Sequence, residues 1–495
     1  MSSSLIGRLS RRFGQVETSA DRRDFLRASL ITGSALMLSG PGALASMTQA
    51  AGKRIVVVGA GFAGLAAAYE LKSVGYDVTV IEARNRISGR VLSFGDFVPG
   101  KNVEGGGELI GSNHPAWVAY AEKFGLEFLD VTEAEDAEFP IILGGQRLTG
   151  EESEALWEEM DTALQVMNAD AEGIDADEPW KSPGAEAFDK LSMQEWIARQ
   201  EVPALCKMAM AAGLTADNGV ATKHQSYLGL LAAVKAGGLD KYWSDSEVYR
   251  CKGGNQQLAM KLAEGLGQGR IVTGVAVKSI SARGKELTVG CGDGRTLTCD
   301  DVVLAVPPPI WKKIEMQPGL PGALNPQMGT NVKMLSRVKS RYWEAAKLAP
   351  DMMTDDEVSM TWEGTDGQLE GAEACLNCFS GGPGAEKIRS REAADRMRKY
   401  SETLETVYPG YGKNVDGTRF MDWPGEQWTG AGYSFPAPGQ VTTVGPLLAQ
   451  AHAGGRLHLA GEHCCYKYVG YMEGALQSGL VAAKRIAVRD GAMKS

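Results

Sequence analysis

Gly59, Gly61 and Gly64 stand in the stretch RIVVVGAGFAGLAAAYE, directly after the β-branched run Ile55 to Val58 and directly before alanines and leucines at helical spacing. A strand buried on both faces, a glycine turn and a returning helix is the order that binds a dinucleotide. The first glycine permits the tight turn, the second lets a pyrophosphate approach the backbone, and the third lets the helix lie on the strand. Phe62 and Ala63 stand in the turn before that helix, read as Leu65 to Leu71, whose free N–H groups face the phosphate charge. A second strand, Asp77 to Ile81, ends in Glu82, 18 residues past Gly64, where an acid accepts hydrogen bonds from ribose hydroxyls. An acid there argues against a 2′-phosphate and leaves FAD and NAD both open.

Other reactive residues are ambiguous by themselves. Lys333 sits in the apolar run NVKML, which by periodicity alone reads as a surface or strand-edge lysine. Tyr433 and Tyr471, taken alone, are ordinary core tyrosines. The five His (114, 224, 452, 458 and 463) have no carboxylate or Ser at triad-like spacing. Cys375 and Cys378 form a lone CxxC and Cys464 and Cys465 are adjacent, so no metal site is expected, and buried thiols or at most one bridge are.

The elements that must position these groups follow from the rest of the chain. With 495 residues and 44% hydrophobic content, two or three globular domains are expected. The segment GRIVTGVAVKSISARGKELTVGCGDGRTLTCDDVVLAVPP alternates apolar and polar residues between Gly/Asp turns and ends in a strand, Asp301 to Val306. Residues 115 to 245 carry acidic, Trp-containing helical patterns, and no internal repeat is evident. The net charge of −10 disfavours nucleic acid as a partner. The first 45 residues hold six Arg against Glu17, Asp21 and Asp24. There the pair Arg22 and Arg23, then Phe25 and Leu26, a modestly apolar stretch and Ala43-Leu44-Ala45 resemble a twin-arginine export signal cut after about Ala45. The alternative is a basic amphipathic start to the mature chain. No other segment is long and apolar enough for a membrane span.

Four longer stretches, EARNRISGRVLSF, NVEGGGELIG, DWPGEQWTGAGYSFPAPG and LHLAGEHCCYKYVGYMEGALQSGLVAAKRIA, resemble the flavin-containing amine oxidase family, which includes monoamine, polyamine and L-amino acid oxidases. The resemblance spans nearly the whole chain after the leader. It implies an α/β protein: a Rossmann-like FAD-binding domain of the glutathione-reductase type (46–112, 246–330 and 421–490) with an inserted α+β substrate domain (113–245 and 331–420). It implies one FAD gripped by Ala83, Arg84, Gly89, Arg90, Gly106, Gly107 and Glu108, by a backbone contact at Val277, and by Trp423, Gly461, Glu462, Tyr471 and Met472. Arg84 and Arg90 would offer guanidinium forks near the pyrophosphate. The family's paired glycines appear here as Ser88-Gly89; serine fits if that position does not need positive φ. Met472 and Glu473 would begin a helix aimed at the pyrimidine side of the flavin.

The same resemblance assigns roles. Lys333 falls on the lysine that holds a water against flavin N5. Tyr433 and Tyr471 fall on a pair forming an aromatic cage before the flavin. The position of the covalently tethered Cys is Gly432, which implies noncovalent FAD. The implied reaction is oxidation of a primary amino group to an imine, with O2 reduced to hydrogen peroxide. For the substrate, Leu109 replaces the Arg with which some L-amino acid oxidases take a carboxylate, favouring a simple amine. Arg250 or Lys252 could restore amino acid binding, and Glu108 could hold the second ammonium of a diamine. A flavin monooxygenase giving an amide, a non-enzymatic scaffold and a homodimer are further alternatives.

Overall fold

A computed structural model describes residues 5–14, 30, 32–33, 37, 52–131, 137–284, 286–368 and 370–493. Its nucleotide half is a five-stranded sheet in the order Leu457–Leu459, Asp301–Leu304, Arg54–Val58, Asp77–Ile81 and Ile271–Val272, every neighbouring pair parallel. The run Ile55 to Val58 is buried because its strand lies at the centre of this sheet, covered on both faces. The helix Phe62–Ser73 returns over it and packs against the long C-terminal helix Met472–Arg489. Gly59 takes φ 104°, and a Cβ on Gly64 would sit 2.0 Å from the Gly59 carbonyl oxygen, so turn and close helix approach both require glycine here.

The second half is a seven-stranded sheet in the order Val415–Met421, Asn331–Val338, Ala374–Gly381, Met360–Glu363, Met352–Thr354, Ile141–Leu143 and Gln146–Arg147. Along Asn331–Val338 the side-chain period of two divides the strand. Val332, Met334 and Val338 enter a core with Tyr400 and Leu404 of the helix Ala393–Val407, whereas Leu335 joins a different cluster with Val98 and Val103. Lys333 shares parity with Leu335 and so faces away from the helical core. Its cross-strand partners are Phe379 and Met421.

Two sequence expectations change here. The helix Pro115–Phe124, assigned to the substrate domain, packs instead on Met472–Arg489 and Gln256–Leu266 of the nucleotide half. The cause is a shared cap: no side chain at its own N-cap, His114, satisfies its first amides, and the buried Glu473 carboxylate accepts from Ala116 N at 2.8 Å and Trp117 N at 2.9 Å. Glu473 therefore serves a neighbouring helix rather than a flavin. Within the first 45 residues, Leu5–Phe13 is a helix with Leu5, Ile6 and Leu9 buried; Arg22, Arg23 and Ala43-Leu44-Ala45 lie outside the described residues. All eight cysteines are unbonded.

Replacing Glu473 by Ala strands two buried helix amides, and urea denaturation should show a loss of about 3 kcal/mol with an unchanged m-value. A loss below about 0.5 kcal/mol would mean those amides have another partner.

Candidate active site

A cavity of about 430 Å³ runs between the two sheets. Its wall includes Gly59, Gly61, Phe62, Ala63, Glu82, Ala83, Arg84, Gly89, Arg90, Gly106, Gly107, Val277, Lys333, Trp423, Gly461, Glu462, Tyr433, Tyr471 and Met472. Gly64 stays behind the wall, pressed on Gly59 as its packing role requires. Pieces of sequence more than 400 residues apart thus meet around one elongated space.

At the nucleotide end, Glu82 is buried, and its two oxygens accept from Ala60 N and Arg84 N, both at 2.8 Å. These bonds fix the carboxylate and leave lone pairs for ribose hydroxyls. Arg84 and Arg90 line the space, but their forks are partly spent on protein. Arg84 Nη2 donates to Glu426 and Thr429, leaving its buried Nε without a partner, and Arg90 Nη1 donates to the Gly432 carbonyl and to Glu462. Burial acts to raise the Glu462 carboxyl, yet the adjacent Arg90 charge holds it below the usual range. Trp423 is fixed by its indole N–H on the Gly105 carbonyl at 3.0 Å.

At the other end Lys333 is only 5% exposed. Its Nζ donates to Glu108 Oε2 at 2.6 Å and to the carbonyls of Glu104 and Gly106, both at 3.2 Å. An ammonium has three N–H groups, so all three are used. A water held by Lys333 therefore has to displace one of the two longer carbonyl bonds. Tyr433 donates to the Asp217 carbonyl and accepts from Asn331 Nδ2 at 2.9 Å, while Tyr471 meets the His114 ring edge-on at 5.1 Å. Burial raises both phenols well above their ordinary range, so both keep their protons.

Three readings from the sequence are corrected. Glu108 is fully buried and absent from the cavity wall: it accepts from Lys333, from Arg250 Nε at 2.9 Å, from Trp362 Nε1 at 2.8 Å and from Asn377 at 3.1 Å. Burial pushes its carboxyl up, but Lys333 and Arg250 more than reverse this and keep it ionised. Its side chain does not line the cavity and does not stand free for a second ammonium. Arg250 donates from Nη2 to the Glu363 carbonyl at 2.8 Å, its buried Nη1 has no hydrogen-bond partner, and it does not line the cavity; Lys252 is an exposed residue paired with Glu127. Ser88 does take positive φ, 76°, with its hydroxyl bonded to the Val91 carbonyl and its N–H to Ala60. Those two bonds hold a non-glycine residue where the family uses glycine.

Asn331 also lines the cavity, unmarked by any sequence motif, and so does His463, whose place directly after Glu462 points to the cofactor end. Both ring nitrogens of His463 are buried without a hydrogen-bond partner, and burial lowers its pKa to about 4, so the ring is neutral.

Comparison with known proteins decides the family. The model for flavin containing amine oxidoreductases matches residues 62–487. The chain belongs to this family. The oxidoreductase is 27% identical over 464 residues to amine oxidase [flavin-containing] A of Sus scrofa, covering 87% of this chain and 84% of that protein, and 27% identical to amine oxidase [flavin-containing] B of Homo sapiens, with 87% and 85% covered. Its fold matches cyclohexylamine oxidase from Brevibacterium oxydans IH-35A (TM-score 0.79, 23% identity, 88% of this chain and 99% of that one) and wild-type putrescine oxidase bound to putrescine (0.79, 24%, with the same coverage). The cofactor of such a flavin amine oxidoreductase is FAD, and the cavity fits it: a glycine cradle and fixed ribose acid at one end, a cationic wall, and the unpartnered nitrogens of His463 beside Gly461 and Glu462.

Lys333→Met removes the buried cation on the cavity wall. Amine-driven turnover should fall at least about 100-fold while the flavin spectrum of the purified protein persists. Turnover within about threefold of wild type would remove Lys333 from the chemistry.

Proposed function

We propose that the enzyme oxidises a primary monoamine bearing an apolar group, and that FAD is held without a covalent bond. The observation that carries the substrate choice is the position of Arg250. The guanidinium that could have met a substrate carboxylate is locked on Glu108 outside the cavity, and Leu109 supplies an apolar wall instead. Among the described cavity-lining residues, the other cations stand elsewhere. Arg84 and Lys313 are with Glu426 to Thr429, Arg90 is with Glu462, and Lys278 follows Val277. Lys333 is committed to Glu108 and two carbonyls. The uncharged residues of the same wall include Leu109, Phe379, Asn331, Tyr433 and Tyr471. That surface accepts an uncharged amine and its hydrocarbon substituent better than a carboxylate.

FAD held by this wall would supply the two-electron, hydride-accepting chemistry on the amine and the reaction with dioxygen that gives hydrogen peroxide. The chain's own part is positioning and electrostatics. The two protonated phenols, held by the Asp217 carbonyl and the His114 ring, line the cavity that the amine would enter. Lys333 places positive charge where negative charge grows during oxidation, and Glu108 fixes its direction. The amine enters neutral, having lost its proton to solvent, and water converts the imine to aldehyde and ammonia.

Noncovalent binding is supported at Gly432. There a Cβ would stand 2.3 Å from Asn331 Oδ1, so the place of the tether has neither a thiol nor room for one. Export is supported by the Arg22-Arg23 pair and the Ala43-Leu44-Ala45 pattern.

A peroxide-coupled screen should show kcat/KM at least about tenfold higher for aliphatic and aryl-alkyl monoamines than for either enantiomer of any amino acid, the scale of one lost charge pairing. Preference for an amino acid would reverse the reading. After acid precipitation the yellow colour should stay in the supernatant, whereas a yellow pellet would show a covalent bond at another site.

A further inference from the structure

The helix Leu5–Phe13 precedes the whole catalytic body in sequence yet is docked on its substrate side. Leu5, Ile6 and Leu9 are buried against Gly150–Glu172, Ala204–Asn218 and Asp240–Asp245. Leu5 Cβ lies 3.5 Å from where a Cβ on Gly213 would stand, so the bare glycine leaves the helix its seat. Arg8 is buried in a 2.6 Å ion pair with Asp351. Breaking such a pair is unfavourable unless both partners regain water.

Arg11, one turn further, donates to the Ser244 carbonyl at 3.1 Å and lines a small cavity with Asp217, Tyr242, Trp243, Glu247 and Tyr471. Tyr471 is the wall between this cavity and the main one. The other tyrosine of the site, Tyr433, hangs from the Asp217 carbonyl. A guanidinium from this N-terminal helix thus shares a small cavity with Asp217 and Glu247 behind Tyr471.

We propose that Leu5–Phe13 is an internal stopper. Docked, it holds Arg11 where the ammonium of an arriving amine would collect before losing its proton, and it closes the side of the site behind Tyr471. The helix stands ahead of the expected processing position at Ala45, so cutting there turns the stopper into a separate peptide that no covalent link holds to the body. Peroxide production is thereby restrained until the chain has been processed. The proposal rests on the amine reading given above for what approaches the site.

The test uses the full chain carrying either Leu9→Asp, which undocks the helix, or Arg11→Ala, which clears the small cavity without touching the apolar seat. Two readouts are taken: kcat/KM for benzylamine, and the constant for acrylamide quenching of the bound flavin's fluorescence, which needs no substrate. Both variants should retain flavin, raise kcat/KM at least about tenfold and raise the quenching constant. A quenching constant unchanged in both variants overturns the stopper, whether or not any amine is oxidised. A lower kcat/KM in Arg11→Ala also overturns it and makes Arg11 part of substrate binding. Raised quenching without turnover counts against the amine reading alone and supports the stopper.

Discussion

One fully buried carboxylate, Glu108, holds the substrate half and the nucleotide half in register. It lies on the segment that follows Gly107 at the cavity wall, and its partners Lys333, Trp362 and Asn377 all come from strands of the seven-stranded sheet. Arg250, from a short strand paired with Phe128–Asp130, completes the set. Two cations cannot be kept dry without a counter-charge, since removing one member of a buried pair costs about 3–5 kcal/mol. The position of Lys333 is therefore set by charge neutralisation as much as by its strand.

The same arrangement explains why the space beside Lys333 is apolar. Glu108 draws the Arg250 guanidinium away from the cavity, and Leu109, the next residue along, turns its side chain into the wall. Alternation along one short segment thus separates a charged, protein-facing side from a hydrocarbon, ligand-facing side. Glu104, four residues earlier, shows what happens without such neutralisation: burial pushes its carboxyl up to about 7, although Asn255 and Ser93 hydrogen-bond to it.

Much of this was legible in the amino acids, for reasons that differ along the chain. The parallel sheet and its glycine turn were readable because β-branched runs, glycine spacing and a following acid are local signals. Glu82 lies where its 18-residue offset from Gly64 placed it, fixed by two backbone amides. Lys333 was readable only through the family's motif: periodicity alone leaves a lysine at a strand edge, and its burial depends on a carboxylate 225 positions away. The outward turn of Glu108, the withdrawal of Arg250 and the capping of Pro115–Phe124 by Glu473 are all contacts across long sequence separations, which no local pattern encodes. Ser88 is instructive in a different way, because its positive φ is maintained by a hydroxyl bond to Val91 that no propensity reveals.

Gly432 and Asn331 are locked to each other: the backbone of one occupies the only place the side chain of the other leaves, while the Asn331 amide also steers Tyr433. A designer wishing to anchor the yellow prosthetic group permanently at this point cannot do so with one codon. Asn331 would have to shrink at the same time, and the phenol it supports would lose its support. Attachment chemistry and aromatic geometry are thus coupled at this point of the chain, through the single side chain of Asn331.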